Sequence, residues 1–427
     1  MSLKKLKLND LGSVGRGKSK HRPRNDEALY NGPYPFVQTG DVKAANFYLN
    51  EYTQTYSELG LSQSKLWPKG TLLITIAANI GDTAILGIDA CFPDSIVGFQ
   101  PYEGVSDVRY VKYYLDFIKL ELEAISRGTT QDNMSLDKLL TKNIFVHEYT
   151  EQVKIASILS AYDELIENNK QRIKLLEEMA EEIYKEWFVR FRFPGYESTR
   201  FLNEQGKEVP HGTVGALPDG WANSRLESVC EFQMGQSPSS EFYNEEKIGL
   251  PFHQGVTNFS DRFPNHITYC TDLKRIANEG EILLSVRAPV GRINIATTKL
   301  VIGRGLCSVK HKMNLINYCY YLLKDVFREE DSFGNGAVFN AVSKNDLLRI
   351  RIIKPINVKA NQFQEFVKPM DDEIRILSDK NQLLQQTRDL LLPRLISGKL
   401  SVEHLGEQEE LEPMAMAAEQ KPHYGKR

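Results

Sequence analysis

Apolar residues recur at alternating spacings of three and four along two stretches of the chain, the beat of a helix that buries one seam against another helix. In the first stretch, roughly residues 151 to 190, the seam reads Leu159, Tyr162, Ile166, Asn169, Ile173, Leu176, Ala180, Ile183 and Trp187. The second, roughly 361 to 397, holds Phe363, Val367, Met370, Ile374, Leu377, Asn381, Leu384, Leu391 and Leu395, and only Arg388 breaks it. Forty helical residues span about 60 Å, more than a domain of this size needs to cover its own sheet. The two helices are therefore expected to pair with each other, with Asn169 and Asn381 fixing the register because each needs a polar partner in the seam. Pro369 and Pro393 each remove a backbone donor and crowd the preceding turn, so the second helix should start late, kink or fray there.

Ahead of each helix lie short runs rich in Ile, Val, Thr, Phe and Tyr, broken by Gly, Pro, Asn and Asp, which read as strands. These runs are written twice. GTLLITIAANIGDTAI from Gly70 matches GEILLSVRAPVGRINI from Gly280 at an offset of 210, with five of sixteen positions identical and most others exchanged like for like. Pro35, Phe36 and Gln38 answer to Pro251, Phe252 and Gln254 at an offset of 216. Leu11, Ser13 and Val14 answer to Leu226, Ser228 and Val229, and Gly128, Ser135, Leu139 and Leu140 to Gly336, Ser343, Leu347 and Leu348. Four matches in one order indicate an internal duplication.

Composition narrows the class. A chain of 427 residues exceeds one ordinary core, and 41% hydrophobic with 26% charged residues describes a globular protein. No apolar run is long enough to cross a bilayer and no secretion signal opens the chain, so a cytoplasmic location is expected. Cys91, Cys230, Cys270, Cys307 and Cys319 are scattered without a C-x-x-C pair, and the histidines do not cluster, which argues against a disulfide framework or a metal site. The net charge of −3 conceals an uneven distribution: residues 1 to 24 carry eight Lys or Arg against the single acid Asp10.

That basic segment spells the one catalytic pattern in the chain. Gly12 to Ser19 satisfies the letters G-x-x-x-x-G-K-S of a phosphate-binding loop. The loop works by joining a buried strand to a helix whose N-terminus faces phosphates. Here charged residues precede it, and Pro23 stands where the helix should run. Arg16, Lys18, Lys20, His21, Arg22 and Arg24 make better sense as cations for nucleic-acid phosphates and guanine edges. Gln38, Arg127, Gln131 and Asn133 suit base edges in the first copy. In the second copy Gln233, Gln236, Gln254, Arg287, Arg292, Arg304, Asn335 and Asn340 occupy comparable places. No constellation of catalytic residues accompanies them.

Several pieces together resemble the specificity subunits of type I restriction and modification systems over nearly the whole chain. They are EQVKIASILSAYDELIENNKQRIKLLEEMAEEIYKEWF from Glu151, LPDGWANSRLESV from Leu217, LLLPRLISGKL from Leu390, and the basic loop GRGKSKHRPRN. The resemblance implies an α+β chain with two tandem target-recognition domains of mixed sheet and helices, separated by two long helices in an antiparallel coiled coil. Its parts would be a first recognition domain over 1–150, a central helix over 151–192, a second recognition domain over 193–360 and a closing helix over 361–400; the tail over 401–427 departs from the family and is expected to be disordered. The helical seam would include Ile166, Asn169, Ile173, Leu176, Ile183, Ile374, Leu377, Asn381, Leu384 and Leu391. Each domain would read one half of a split double-stranded DNA site. Two modification subunits would bring S-adenosylmethionine and methyl transfer, and restriction subunits would bring ATP and Mg2+ for translocation and cleavage, leaving this chain without a cofactor. Two other readings stay open on residues alone: a nucleotide-binding enzyme, and a coiled-coil scaffold that touches proteins only.

Overall fold

The computed structural model of the chain describes residues 3–127, 134–328 and 341–403. It divides into two compact units, Met1–Gln171 with Ser378–Arg427, and Arg172–Leu377. The architecture is α+β.

The first unit is built on a sheet in the order Gly12–Arg16, Ile96–Pro101, Leu72–Thr75, Thr83–Leu86, Tyr48–Leu49. The first four strands are antiparallel and the last joins in parallel. All four residues of Leu72–Thr75 are buried, so the strand reads as an apolar run. Its period of two still sorts the side chains. Leu72 and Ile74 face a core completed by Tyr110, Tyr113, Leu139, Ile155 and Leu159, while Leu73 faces another with Trp67, Leu86 and Phe92.

The second unit repeats this plan. Cys230–Met234, Leu306–His311, Ile282–Ser285 and Ile293–Ile295 form an antiparallel sheet in the corresponding order. Ile282 and Leu284 face one core with Tyr318, Phe363 and Trp221, and Leu283 faces a second with Leu300 and Leu306. Equivalence extends to single hydrogen bonds. Thr75 Oγ1 donates to the Asn79 carbonyl and accepts from Asp82 N, closing the hairpin; Ser285 Oγ does the same with Pro289 and Arg292. Met134 N donates to Ile76 O and Val342 N to Val286 O, both at 2.9 Å. The bridge Trp67↔Ala90 recurs as Ala277↔Leu300, and the parallel pair Phe36↔Cys91 as Phe252↔Val301. Those partners carry the same offsets of 210 and 216 that the sequence matches have.

The long helices are Tyr149–Tyr184, ended by a π-helical turn at Lys185–Val189, and Asn357–Ile396. The second begins earlier than its prolines suggest, and both Pro369 and Pro393 lie within it. A proline inside a helix costs about 3 kcal/mol. Packing offsets this around Pro369, where Phe363, Val367 and Ile374 are fully buried. In the first unit Asn169 Nδ2 donates to Asn381 Oδ1 at 2.8 Å, and Arg388 pairs with Asp163. In the second Arg172 pairs with Glu373 at 3.0 Å, and the rings of Trp187 and Phe363 lie 5.8 Å apart. Rising numbers on one helix meet falling numbers on the other, so within each unit the segments are antiparallel. Of the remaining seam positions, Ile166, Ile374 and Leu377 are buried and Ile173, Leu176, Ile183, Leu384 and Leu391 half-buried. Among the described residues no helix is long and apolar enough to cross a membrane.

Candidate nucleic-acid interface

The phosphate-loop letters fold as something else. Gly12–Arg16 is itself a strand, and the next helical turn comes only at Glu27–Leu29. Gly17 N donates to Ile96 O at 2.9 Å and Lys18 N to Phe92 O at 3.0 Å. A Cβ on Gly17 would sit 2.3 Å from the carbonyl oxygens of Phe92 and Pro93, so the glycine is required by a close backbone approach. The second unit repeats the arrangement: Gly235 N donates to Leu306 O at 2.9 Å and Gln236 N to Ile302 O at 3.0 Å. A Cβ there would meet Gly303 O at 2.1 Å. Lys18 and Gln236 thus project, exposed, from the same frame in the two units.

Two further segments complete each frame. In the first unit Val37 N donates to Cys91 O, joining the segment of Gln38 to the one that carries Asp94, and Asp94 holds the basic loop through Arg16 and Arg24. In the second, Gly303 N donates to His253 O and Gly305 N to Gln254 O. Ser237 Oγ there donates to Gln254 Oε1 at 2.8 Å and accepts from Arg304 N at 3.2 Å. The result in each unit is a small platform of three stitched segments. It presents Lys18, Gln38 and Asp94 in one unit, and Gln236, Gln254 and Arg304 in the other.

The cations of the basic loop are only partly free. Arg16 Nε donates to the Asp94 carbonyl at 3.0 Å, Arg24 Nη2 donates to both Asp94 carboxylate oxygens at 3.0 and 3.1 Å, and Arg22 holds the carbonyls of Ser19 and His21. His21 lies 2.9 Å from Asp26, whose carboxyl is held below its usual range by the Ala28 amide and by His21. All five Arg and Lys side chains from Arg16 to Arg24 remain exposed, and Lys18 and Lys20 have no ion-pair partner among the described residues. Self-repulsion in the loop is thus reduced by the chain's own carboxylates, which the sequence reading did not anticipate.

Other candidates divide. Gln38 is half-buried and donates to Gln54 Oε1 at 2.6 Å. Gln233 is committed to the fold, its amide donating to Ile276 O at 2.7 Å. Arg287 and Arg292 are exposed where the strand ending at Ser285 turns into the next, Arg287 bridging Ala341 through its backbone. Arg127 closes the helix Lys119–Arg127, but its side chain lies outside the described residues, as do Gln131, Asn133, Asn335 and Asn340. Among the described residues no group of His, Cys, Asp or Glu is placed to hold a metal ion.

Three participants escaped the sequence reading. Ser237 and Asp94 tie the platforms together. His253, which stands where the first unit has Val37, lies under the second platform with Nε2 3.0 Å from His266 Nδ1; burial and the neighbouring histidine push it down to about 4. The pairing of Ser19 with Ser237 was available from the repeat, but no periodicity marks a serine that bonds across loops.

The family described as type I restriction modification DNA specificity domain matches this chain twice, over residues 2–178 and 218–386. The MjaX specificity subunit of a type I restriction enzyme from Methanocaldococcus jannaschii is 31% identical over 280 residues, 65% of this chain and 63% of that protein. The MjaIX specificity subunit of the same organism is 27% identical over 415 residues, 93% of this chain and 94% of its own. Among solved structures, the type I restriction-modification S subunit of M. genitalium has a similar fold, with a TM-score of 0.55 at 16% identity over 92% of this chain and 96% of that one.

Proposed function

The chain belongs to the type I restriction-modification DNA specificity family, as a non-catalytic specificity subunit, and from that premise we propose that each of its two recognition domains reads one half of a split double-stranded DNA site. The recognition domains are residues 1–150 and 193–360, followed by the segments 151–192 and 361–400, which hold most of the long helices that begin at Tyr149 and Asn357. The observation that carries this reading is the repeated platform: one frame, closed by equivalent hydrogen bonds and equivalent glycines, offers a different set of exposed polar and basic side chains in each copy. Base edges in the major groove are discriminated by such side chains, whereas phosphate contacts mainly position the protein. A nucleotide-binding enzyme is disfavoured, because the strand at Gly12–Arg16 leaves the loop without the helix it needs.

Partner subunits supply the chemistry in this reading. Two methyltransferase subunits bind S-adenosylmethionine and dock on the long helices, and restriction subunits carry ATP and Mg2+. Large apolar side chains left exposed on the helices support docking: Leu165, Leu383 and Leu390 in the first unit, and Leu175, Met179, Phe366 and Ile376 in the second. Exchanging residues 196–360 for the corresponding segment of another specificity subunit tests the division of labour. In the assembled methyltransferase, one half-site should change and the other persist; a change in both halves, read by mapping methylated bases on a randomised duplex library, would rule out independent readout.

A further inference from the structure

The two platforms differ most at one position. Asp94 and Arg304 are equivalent, 210 residues apart, yet opposite in charge. In the second unit Arg304 is exposed, its backbone fixed by Ser237, and its guanidinium has no ion-pair partner among the described residues. In the first unit the Asp94 carboxylate instead holds Arg24, whose side chain stays half exposed, with both oxygens within 3.1 Å of its Nη2. Each platform therefore ends in an exposed guanidinium, Arg24 carried by Asp94 in one case, and in the other Arg304, whose backbone shares Ser237 with the exposed Gln254. A guanidinium that the fold leaves exposed can fork onto O6 and N7 of guanine, and an exposed glutamine amide onto adenine.

Resting on the reading of these domains as DNA recognition modules, we infer that Arg24, carried by Asp94, and Arg304 are the guanine-reading side chains of the first and second half-sites. Asp94 is then a positioning residue, which acts through Arg24. The neighbouring position, Lys18 in one unit and Gln236 in the other, contributes to the difference between the two half-sites.

The test uses the full chain assembled with its modification subunits, and a duplex library in which both half-sites are randomised. Arg304→Ala should lower the preference for one G·C pair in one half-site by about 5- to 150-fold, with the other half-site untouched; Arg24→Ala should do the converse. The double change Asp94→Arg with Arg24→Ala moves the first unit's guanidinium to the place it has in the second, and should restore a G·C preference that Arg24→Ala loses. Asp94→Asn should weaken the same preference without removing the cation. A uniform loss of affinity over all sequences, with a shallower salt dependence, would make both arginines phosphate contacts and overturn the inference while leaving DNA recognition intact. If the unmodified complex shows no sequence preference, the underlying reading fails instead.

Discussion

Asp163 and Asp371 stand at the same point of the two long helices, 208 residues apart, and both are buried. Each accepts from a tyrosine hydroxyl, Tyr113 at 2.5 Å and Tyr321 at 2.9 Å, and the tyrosines are again 208 apart. The cations facing them come from different places. In the first unit it is Arg388 of the second long helix; in the second it is Arg262, from the recognition domain, 2.5 Å from Asp371 and 3.7 Å from Glu177. Where the second unit has Arg262 the first has Phe47, since the carbonyls of both accept from isoleucines 210 apart, Ile295 and Ile85. Where the first has Arg388, the second has Ala180. A buried carboxylate needs a cation but does not dictate which element supplies it. Duplication has preserved the requirement and let the residue move, as it has with Arg24 and Arg304 on the platforms.

The largest expected effect comes from removing the second unit's cation. Glu177 and Asp371 already sit above the usual carboxylate range because burial penalises their charge. Arg262→Phe, which gives the second unit the first unit's residue, should cost about 3–5 kcal/mol, seen as lost hydrogen-exchange protection and a lower denaturation midpoint of the second unit. Adding Ala180→Arg, which also copies the first unit, should recover much of that loss. Arg388→Leu should cost less, because the Arg388 side chain is 25% exposed and water compensates in part. An Arg262→Phe protein as stable as the parent, or a double variant no better than the single, would break the comparison.

The duplication and the helical seam were legible because they rest on periodicity and repetition, which a sequence displays directly. Arg262 was not, since in sequence it is one more cation in a loop, and its 2% exposure arises only when distant segments close over it. Arg388 was noticed as a break in the seam, but its purpose needed Asp163 beside it. The letters from Gly12 to Ser19 could be set aside on their flanking residues, but what the glycine serves could not be read. The glycine is demanded by a neighbouring carbonyl, and the pattern cannot distinguish that from a phosphate. Base-edge candidates were the least legible, because Gln233 and Gln236 look alike until one amide is found bonded to Ile276 O.

Acid should separate the two units next. Burial pushes both His253 and His311 of the second unit down to about 4, whereas the described part of the first unit has a lowered histidine only at His147. Between about pH 6.5 and these depressed values the unfolded chain binds protons that the folded one refuses, so this contribution is complete above about pH 6.5 and fades as pH falls. Each histidine contributes up to about 3 kcal/mol. His253→Val, the residue of the first unit, should flatten the fall in stability of the second unit between pH 6.5 and 4. An unchanged slope would remove His253 from the account.

Thr75 and Ser285 provide the control, because here the units agree. Both hydroxyls are buried and make equivalent hairpin bonds. Thr75→Ala and Ser285→Ala should each cost about 1–3 kcal/mol, by similar amounts in their own units. Unequal losses in urea melts would show that equivalent geometry does not carry equivalent energy.

The smallest effect on stability, with the clearest effect on structure, is expected at Asn169 and Asn381. The pair has no polar counterpart: 208 residues away stand Leu377 and Ile173. The 2.8 Å bond between the amides satisfies both groups only when the helices keep one register, while an apolar pair tolerates a slip. Asn169→Leu with Asn381→Ile copies the apolar pair and should raise stability by about 1 kcal/mol, the polar pair being costly to bury. Register should loosen at the same time. Cysteines at Arg172 and Glu373, whose charged tips lie 3.0 Å apart in the native register, report it through a bifunctional thiol reagent. Cysteines at Arg172 and Lys380, one heptad away, should cross-link only in the double variant. If the native cross-link alone forms there too, with unchanged yield, the register is held by the apolar positions of the seam, and the asparagines are a local adjustment to the first unit.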